Sequence, residues 1–344
     1  ARISGKMIQN FVQNSLISLG INVIDLDLST TPTVELMVKE HDAEGGIIIT
    51  ASHNPTEWNA LKLLDENGEF LNSDEGEKII KISESKNFIF SNVHELGKVI
   101  KSYDSMKKHI DSVLDLSLVD VEKIKAKKIK VVVDAVNSTG GIIVPDFLKE
   151  LNIEVIKLYC EPNGDFPHNP EPLKKNLTEL SKMVVECNAD LGIAVDPDVD
   201  RLVFVCEDGE LFGEENTLVA CADYVLSKTP GSTVSNLSSS RALNDISKKH
   251  NQSHFYSAVG EVNVVDKMKE CNAIIGGEGN GGVIYPESHY GRDSIVGIGL
   301  FLSLYVERGL VASKLLETYP KYFMIKEKIN LSASLNVDNI LNQI

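Results

Sequence analysis

At 344 residues the chain exceeds what one hydrophobic core usually organises, and at roughly 150 residues per domain about two to three domains are expected. An apolar fraction of 42% with 24% charged residues belongs to a packed globular chain and excludes disorder, collagen and coiled coil. Against 50 Asp and Glu there are 34 Lys and Arg, and the resulting charge of −16 repels nucleic acid and anionic membrane, which removes both as main partners.

The first pattern along the chain is helical: Met7, Ile8, Phe11, Val12 and Leu16 recur on one face, and Gly20 should end the helix before a strand over Ile21–Leu26. Further short apolar strands are predicted at Gly46–Ile49, Lys130–Asp134, Glu154–Leu158, Leu191–Val195, Leu202–Val205 and Ala273–Ile275. Helical stretches lie between most of them. This alternation predicts α/β layers with largely parallel sheets, whose ligands collect in the loops at the carboxyl ends of the strands. The polar stretch Asn87–Ser105 and the turn Glu207-Asp208-Gly209-Glu210 read as boundaries, dividing the chain into modules 1–98, 99–211 and 212–323, with 324–344 as a linker and the start of a fourth. No repeat of fixed period is visible, and the basic run Lys123–Lys130 reads as a solvated face.

Five cysteines (Cys160, Cys187, Cys206, Cys221 and Cys271) form an odd set without a close pair, which fits neither a disulfide framework nor a zinc site. With no secretory leader pattern and no apolar run near the roughly 20 residues of a bilayer span, a cytoplasmic location is expected. The sequence opens without Met in the middle of a helical pattern and closes at Gln343-Ile344, so a fragment of a longer chain is expected.

Three loops carry chemistry. Thr50-Ala51-Ser52-His53-Asn54-Pro55 follows the strand Gly46–Ile49 and puts Ser52 at a strand end as a candidate nucleophile. An ordinary turn would use the same residue types, and a hydrolase elbow would need glycine at positions 50 and 54, so acyl transfer is disfavoured. Asp196-Pro197-Asp198-Val199-Asp200-Arg201 lies between two apolar strands; three carboxylates at spacing two repel one another unless a hard cation sits among them. Arg201 and a buried strand follow where a calcium loop would continue, and magnesium fits better than calcium. Arg201 can also be a simple counter-ion. Gly276–Gly282 holds five glycines in seven residues, letting backbone approach a ligand and leaving Glu278 and Asn280 to meet hydroxyls; alone, it would equally be a hairpin leading into Val283–Tyr285.

In this order the three loops resemble the α-D-phosphohexomutase superfamily, which interconverts hexose 1- and 6-phosphates, and the likeness runs from Arg2-Ile3-Ser4-Gly5 to Tyr322. It is nearest the phosphoglucosamine mutase and phosphoglucomutase/phosphomannomutase types. The resemblance implies three successive mixed α/β domains with the active site in the cleft between them and a smaller fourth domain, truncated here. By the same resemblance, Ser52 is the phosphorylated serine, His53 its neighbour and Lys62 the active-site lysine. Asp196, Asp198 and Asp200, with the phosphoserine, are the Mg²⁺ ligands; Arg201 is the loop arginine and Glu278 the sugar-reading glutamate. The implied reaction passes through a phosphoserine enzyme and a hexose 1,6-bisphosphate, with a small hexose phosphate of glucosamine, mannose or glucose as partner. Proton relay falls to Lys62, if a cationic pocket lowers its pKa, or to His53.

Some positions depart from the family pattern. Pro197 and Val199 replace glycines of D-G-D-G-D-R, which stiffens the loop and keeps every ligand. Asn280 and Gly282 stand where many relatives carry Ser and His, and Glu261 replaces a histidine after Val259-Gly260. The N-terminal arginine loop and the phosphate-clamping R-x-S-G-T motif have no counterpart. A basic lining for a dianionic substrate would come from Arg201, with Arg241 and Arg292 as candidates lacking motif support; Arg292 can equally form a turn salt bridge, and Arg241 can start a helix. Two rivals are a haloacid-dehalogenase-like phosphatase or mutase using Asp196 as nucleophile and a non-catalytic sugar-phosphate binding fragment.

Overall fold

A computed structural model of the chain describes residues 1–324. Apart from Met324, the expected linker and fourth module, 324–344, lies outside the described residues. The strands are β1 Val23–Asp25, β2 Gly46–Ile49, β3 Leu61–Leu64, β4 Val99–Lys101, β5 Lys130–Asp134, β6 Glu154–Leu158, β7 Leu191–Val195, β8 Leu202–Cys206, β9 Thr233–Asn236, β10 His254–Ser257, β11 Ile275–Glu278 and β12 Gly282–Ile284. They form two four-stranded sheets, β6-β5-β7-β8 and β10-β9-β11-β12, and two pairs, β1-β4 and β2-β3. In both larger sheets the first three strands are parallel and the last pair antiparallel, so every large sheet is mixed. This is the α/β class that the alternating pattern predicts.

The strands β5, β7 and β8 are runs of apolar residues buried on both faces, and helices cover them, which is why they read clearly as strands. The pattern left β3, β4, β9 and β10 unpredicted. In β9 Val234 is the one buried apolar side chain, and its neighbours are buried polar groups: Thr233 Oγ1 meets Ser247 Oγ at 2.7 Å and His254 Nδ1 at 2.8 Å. Such satisfied polar groups can be buried at little cost, but they carry no hydrophobic period. Strand β4 lies just past the expected boundary at residue 98, inside the polar stretch, and pairs in parallel with β1.

The two four-stranded sheets share one core through the helix Ser294–Arg308, whose first twelve residues are buried. Asp293 caps it by accepting from the amides of Ile295 and Val296. Phe301 on this helix stacks on Phe204 of β8 with ring centroids 3.8 Å apart and meets Phe212 edge-on at 5.1 Å. The first sheet pair has a small core of Val38, Ile48 and Leu64. The N-terminal helix forms as predicted, over Gly5–Ser18 with Gly20 beyond its end, but no residue of it is fully buried. Met7 is 58% and Phe11 67% exposed, whereas Ile8, Val12 and Leu16 of the same stripe are half-buried. No described helix is long and apolar enough to cross a membrane.

The expected glycine-rich loop is mostly strand. Gly276, Gly277 and Glu278 belong to β11 and Gly282 opens β12, leaving residues 279–281 as the turn of a tight hairpin. That hairpin seats against β8: the Leu202 amide donates to the Gly281 carbonyl at 3.1 Å, and Gly281 has φ +91°. A Cβ at position 281 would stand 2.3 Å from the Leu202 carbonyl oxygen. We therefore expect Gly281→Ala to lower the unfolding free energy by about 1–3 kcal/mol through forced φ alone, before the clash is counted. A urea midpoint equal to the parent's would show that the hairpin is not seated in this way.

Candidate active site

Each of the three chemistry-bearing loops joins an antiparallel strand pair: β2 to β3, β7 to β8 and β11 to β12. The fold turns all three toward one point. Ser52 Oγ donates to Asp196 Oδ2 at 2.7 Å across 144 residues of sequence. Ser52 has φ +45°, uncommon for a residue with a side chain, and holds it because its amide donates to Thr50 Oγ1 at 3.0 Å while its carbonyl accepts from Arg2 at 2.7 Å. His53 Nδ1 lies 3.4 Å from Ser52 Oγ. Burial, with Arg201 nearby, lowers the His53 pKa, so its ring is neutral near pH 7.

The aspartate loop is a closed turn. Asp196 Oδ1 accepts from the amides of Asp200 and Arg201, both at 3.1 Å, and the Val199 amide donates to the Asp196 carbonyl. Val199 is fully buried at φ +66°, a left-handed conformation that a β-branched residue rarely adopts. Gly140 leaves room for it, since a Cβ there would touch Val195 and Val199. Asp196, Asp198 and Asp200 present carboxylate oxygens within 4.8 Å of one another. Asp198 Oδ1 and Asp200 Oδ1 are buried without a hydrogen-bond partner among the described residues. Burial, then Asp200 and Asp198, pushes the Asp196 carboxyl well above its ordinary range. Two unpartnered oxygens in an all-carboxylate donor set fit a hard, oxygen-preferring cation such as Mg²⁺.

Side chains from the other units already supply positive charge here. Lys62, on β3, donates to Asp198 Oδ2 at 2.7 Å and to Asp200 Oδ2 at 3.3 Å. Burial works against its charge, but the two carboxylates prevail and raise its pKa, opposite to the lowering that a proton-relay role for Lys62 would require. The same pair holds Asp198 well below the carboxylate range despite its burial. Thr31 Oγ1 completes the set by donating to Asp198 Oδ2 at 2.7 Å.

Arg292 does far more than a turn salt bridge. Nη2 donates to Asp200 Oδ2 at 2.7 Å, Nη1 to Glu278 Oε2 at 2.6 Å and Nε to Glu261 Oε2 at 3.1 Å. One guanidinium thus ties the aspartate loop to the glycine hairpin and to the start of the helix Glu261–Cys271. Glu278 also accepts from Asn236 Nδ2 at 2.6 Å. Asn280 serves the turn itself, accepting from the Gly282 amide at 3.2 Å and donating to Glu278 Oε2 at 3.3 Å. Arg201 directs its guanidinium toward Glu171 Oε1 at 3.4 Å, and Arg241 is exposed at the start of the helix Ala242–Lys249.

Sequence reasoning missed Arg2, Thr31 and Asn236 as parts of the site and missed the pairing of Glu261 with Arg292. Only the replacement of a family histidine by Glu261 offered a signal. It also missed a buried chain beside the site: Thr33 Oγ1 to His109 Nδ1 at 2.9 Å, His109 Nε2 to Asp293 Oδ2 at 2.8 Å, and His289 between Asp293 at 3.1 Å and Glu35 at 3.2 Å.

Comparison with known proteins gives three consecutive family matches. Residues 1–90 match phosphoglucomutase/phosphomannomutase alpha/beta/alpha domain I, 107–209 domain II and 214–322 domain III. A phosphoglucomutase/phosphomannomutase of Thermococcus kodakarensis is 35% identical over 329 residues, covering 95% of this chain and 72% of that protein. A phosphoglucosamine/phosphogalactosamine mutase of Sulfurisphaera tokodaii is 30% identical over 348 residues, covering 100% and 76%. The crystal structure of a phosphoglucomutase/phosphomannomutase family protein from Burkholderia thailandensis superposes with a TM-score of 0.81 at 23% identity, over 93% of this chain and 70% of that one.

The buried histidine chain generates a pH dependence. Burial opposes the charge on His289, but its hydrogen bond to Asp293 and its close ion pair with Glu35 overcome it and raise the pKa from 6.5 to about 10. Its contribution to stability is complete below about pH 6.5 and is lost as the pH rises through about 10. Glu35, pushed up by burial from 4.5 to about 7 even with His289 beside it, shifts stability in the same direction over its own lower range. Urea midpoints should therefore fall between about pH 6.5 and 10, and His289→Gln should flatten that fall. A parent midpoint level across the range would contradict the assignment.

Proposed function

The chain belongs to the phosphoglucomutase/phosphomannomutase family of the α-D-phosphohexomutase superfamily, whose members are isomerases, and on that premise we propose that this phosphohexomutase works through a phosphorylated Ser52. The observation that carries the reading is the Ser52 Oγ to Asp196 Oδ2 hydrogen bond, which brings the candidate nucleophile to the carboxylate cluster. In the first half-reaction the bond from phosphorus to Ser52 Oγ breaks as one forms to the free hydroxyl of a hexose monophosphate, giving the hexose 1,6-bisphosphate. The proton lost by that hydroxyl ends on Ser52 Oγ; neutral His53, 3.4 Å away, is the group suited to carry it. In the second half-reaction the turned bisphosphate returns its other phosphoryl group to Ser52, and His53 moves the proton back. The same bisphosphate primes an unphosphorylated chain.

Asp196, Asp198 and Asp200, together with the phosphoserine, would hold Mg²⁺, which when bound supplies positive charge beside the phosphoryl oxygens. Lys62 contributes charge rather than a base, because Asp198 and Asp200 keep it protonated. Arg201 adds a cation next to the serine loop, and its amide fixes Asp196. Glu278, held in place by Arg292 and Asn236, is the group suited to meet the sugar hydroxyls, and Asn280 supports it from the hairpin turn. Asp200 is matched by Arg292, Lys62 and the Mg²⁺ it would help to hold, so the site's charge does not rank glucosamine, mannose and glucose phosphates against one another. An acyl phosphate on Asp196 is disfavoured, since the family matches take in the serine loop and the glycine hairpin as well as the aspartate loop, which a nucleophilic Asp196 leaves unexplained.

The test is a map of phosphate by mass spectrometry after incubation with a hexose 1,6-bisphosphate, then with each hexose 6-phosphate and Mg²⁺. Phosphate should appear on Ser52 and leave with hexose 6-phosphate, the sugar that removes it fastest identifying the preferred substrate, and Ser52→Ala should lower turnover at least about 1000-fold while sugar-phosphate binding persists. Binding by the parent without any phosphate on Ser52 would leave a sugar-phosphate binding protein instead. Separately, Asp200→Asn should weaken Mg²⁺ binding by about tenfold or more in titration calorimetry.

A further inference from the structure

Arg2 lies outside every loop assigned above, yet its guanidinium is buried against the serine loop. Nη1 donates to the carbonyls of Pro55 at 2.8 Å and Trp58 at 2.6 Å, and Nη2 to those of Ser52 and Asn54, both at 2.7 Å. The ring of Phe166, from the module that carries the aspartate loop, covers the guanidinium at 5.2 Å. We infer that Arg2 is a positioning residue that aims Ser52 by gripping the backbone of its loop, and that it makes no contact with substrate. The inference rests on the reading of Ser52 as the phosphoryl carrier.

Donor counting separates this role from phosphate binding. A guanidinium has five N–H groups, four of them on the two Nη atoms, and the four loop carbonyls take one each. The remaining Nε–H is buried and has no partner among the described residues. Both Nη atoms are thus engaged, and a single Nε–H lacks the two-donor fork that grips a phosphate bidentately. The four carbonyls belong to residues 52, 54, 55 and 58, so the planar fork gathers the outer curve of the loop onto one point, and it fixes the carbonyl of Ser52 itself. With the Ser52 amide held by Thr50 Oγ1, both peptide groups flanking the Ser52 side chain are anchored, which sustains φ +45° and directs Oγ to Asp196. A lysine ammonium has three donors on a single atom and no fixed fork, so it cannot hold four carbonyls spread along the loop.

The experiment uses the full chain and compares the parent with Arg2→Lys and Arg2→Ala. In Arg2→Lys, amide hydrogen exchange should speed up over residues 50–59 and stay unchanged over 191–206. The single-turnover rate of phosphate transfer from glucose 1,6-bisphosphate to Ser52 should drop about 10- to 100-fold, with KM for the bisphosphate within about twofold of the parent. Added guanidinium should restore part of the rate to Arg2→Ala; if that variant does not fold, Arg2→Lys carries the test alone. Unchanged exchange over residues 50–59 overturns the grip, and a raised KM at parental rate makes Arg2 a substrate ligand instead. A parent chain that never takes phosphate on Ser52 defeats the mutase reading while the exchange comparison still decides whether Arg2 holds the loop.

Discussion

Three aspartates with oxygens inside 4.8 Å of one another cannot stay ionised in a buried place unless cations are brought to them. The rest of the structure depends on meeting that condition. Lys62 comes from β3 in the first unit and Arg292 from the third, and each reaches Asp200. The aspartate loop therefore binds its neighbours through charge that it could not tolerate alone. Breaking one of these pairs leaves a buried carboxylate without its cation, which is why the electrostatic and structural roles of Lys62 and Arg292 cannot be separated.

The two four-stranded sheets repeat one strand order, and in both the functional turn joins the final antiparallel pair; β2 and β3 hold the serine loop in the same way. No period in the sequence marks this likeness, because a shared strand order constrains only where apolar runs occur and not which residues form them. Once the three turns occupy one topological place, packing on the helix Ser294–Arg308 brings the aspartate turn and the glycine hairpin together, and the serine unit joins them through the polar contacts of Ser52, Lys62 and Thr31 with the aspartate loop.

Close approach has a backbone cost that is concentrated at the site. Ser52 and Val199 both hold positive φ, and Gly281 sits where any side chain would strike the Leu202 carbonyl. Each is held by specific hydrogen bonds or by packing: Arg2 and Thr50 at Ser52, the Asp196 carbonyl and the space over Gly140 at Val199. The conformations thus persist because their surroundings over-determine them.

The sequence by itself determined the α/β class, the apolar strands that bound the serine and aspartate loops, and Ser52, Asp196, Asp198, Asp200 and Glu278 as the residues to watch, while His53 and Lys62 came from the family resemblance. These were legible because hydrophobic periodicity and residue spacing are local, and because the T-A-S-H-N-P and aspartate motifs are short and contiguous. Polar strands β9 and β10 were not, since their buried hydroxyls and His254 bond to one another and leave no apolar period. Only the tertiary structure decided that Lys62 is locked between carboxylates, that Arg292 joins Asp200, Glu261 and Glu278, and that Arg2 grips the Ser52 loop. Those contacts span from 14 to 138 residues of sequence, and the charge or aim of a group is set by what lies beside it in space, which no local pattern encodes.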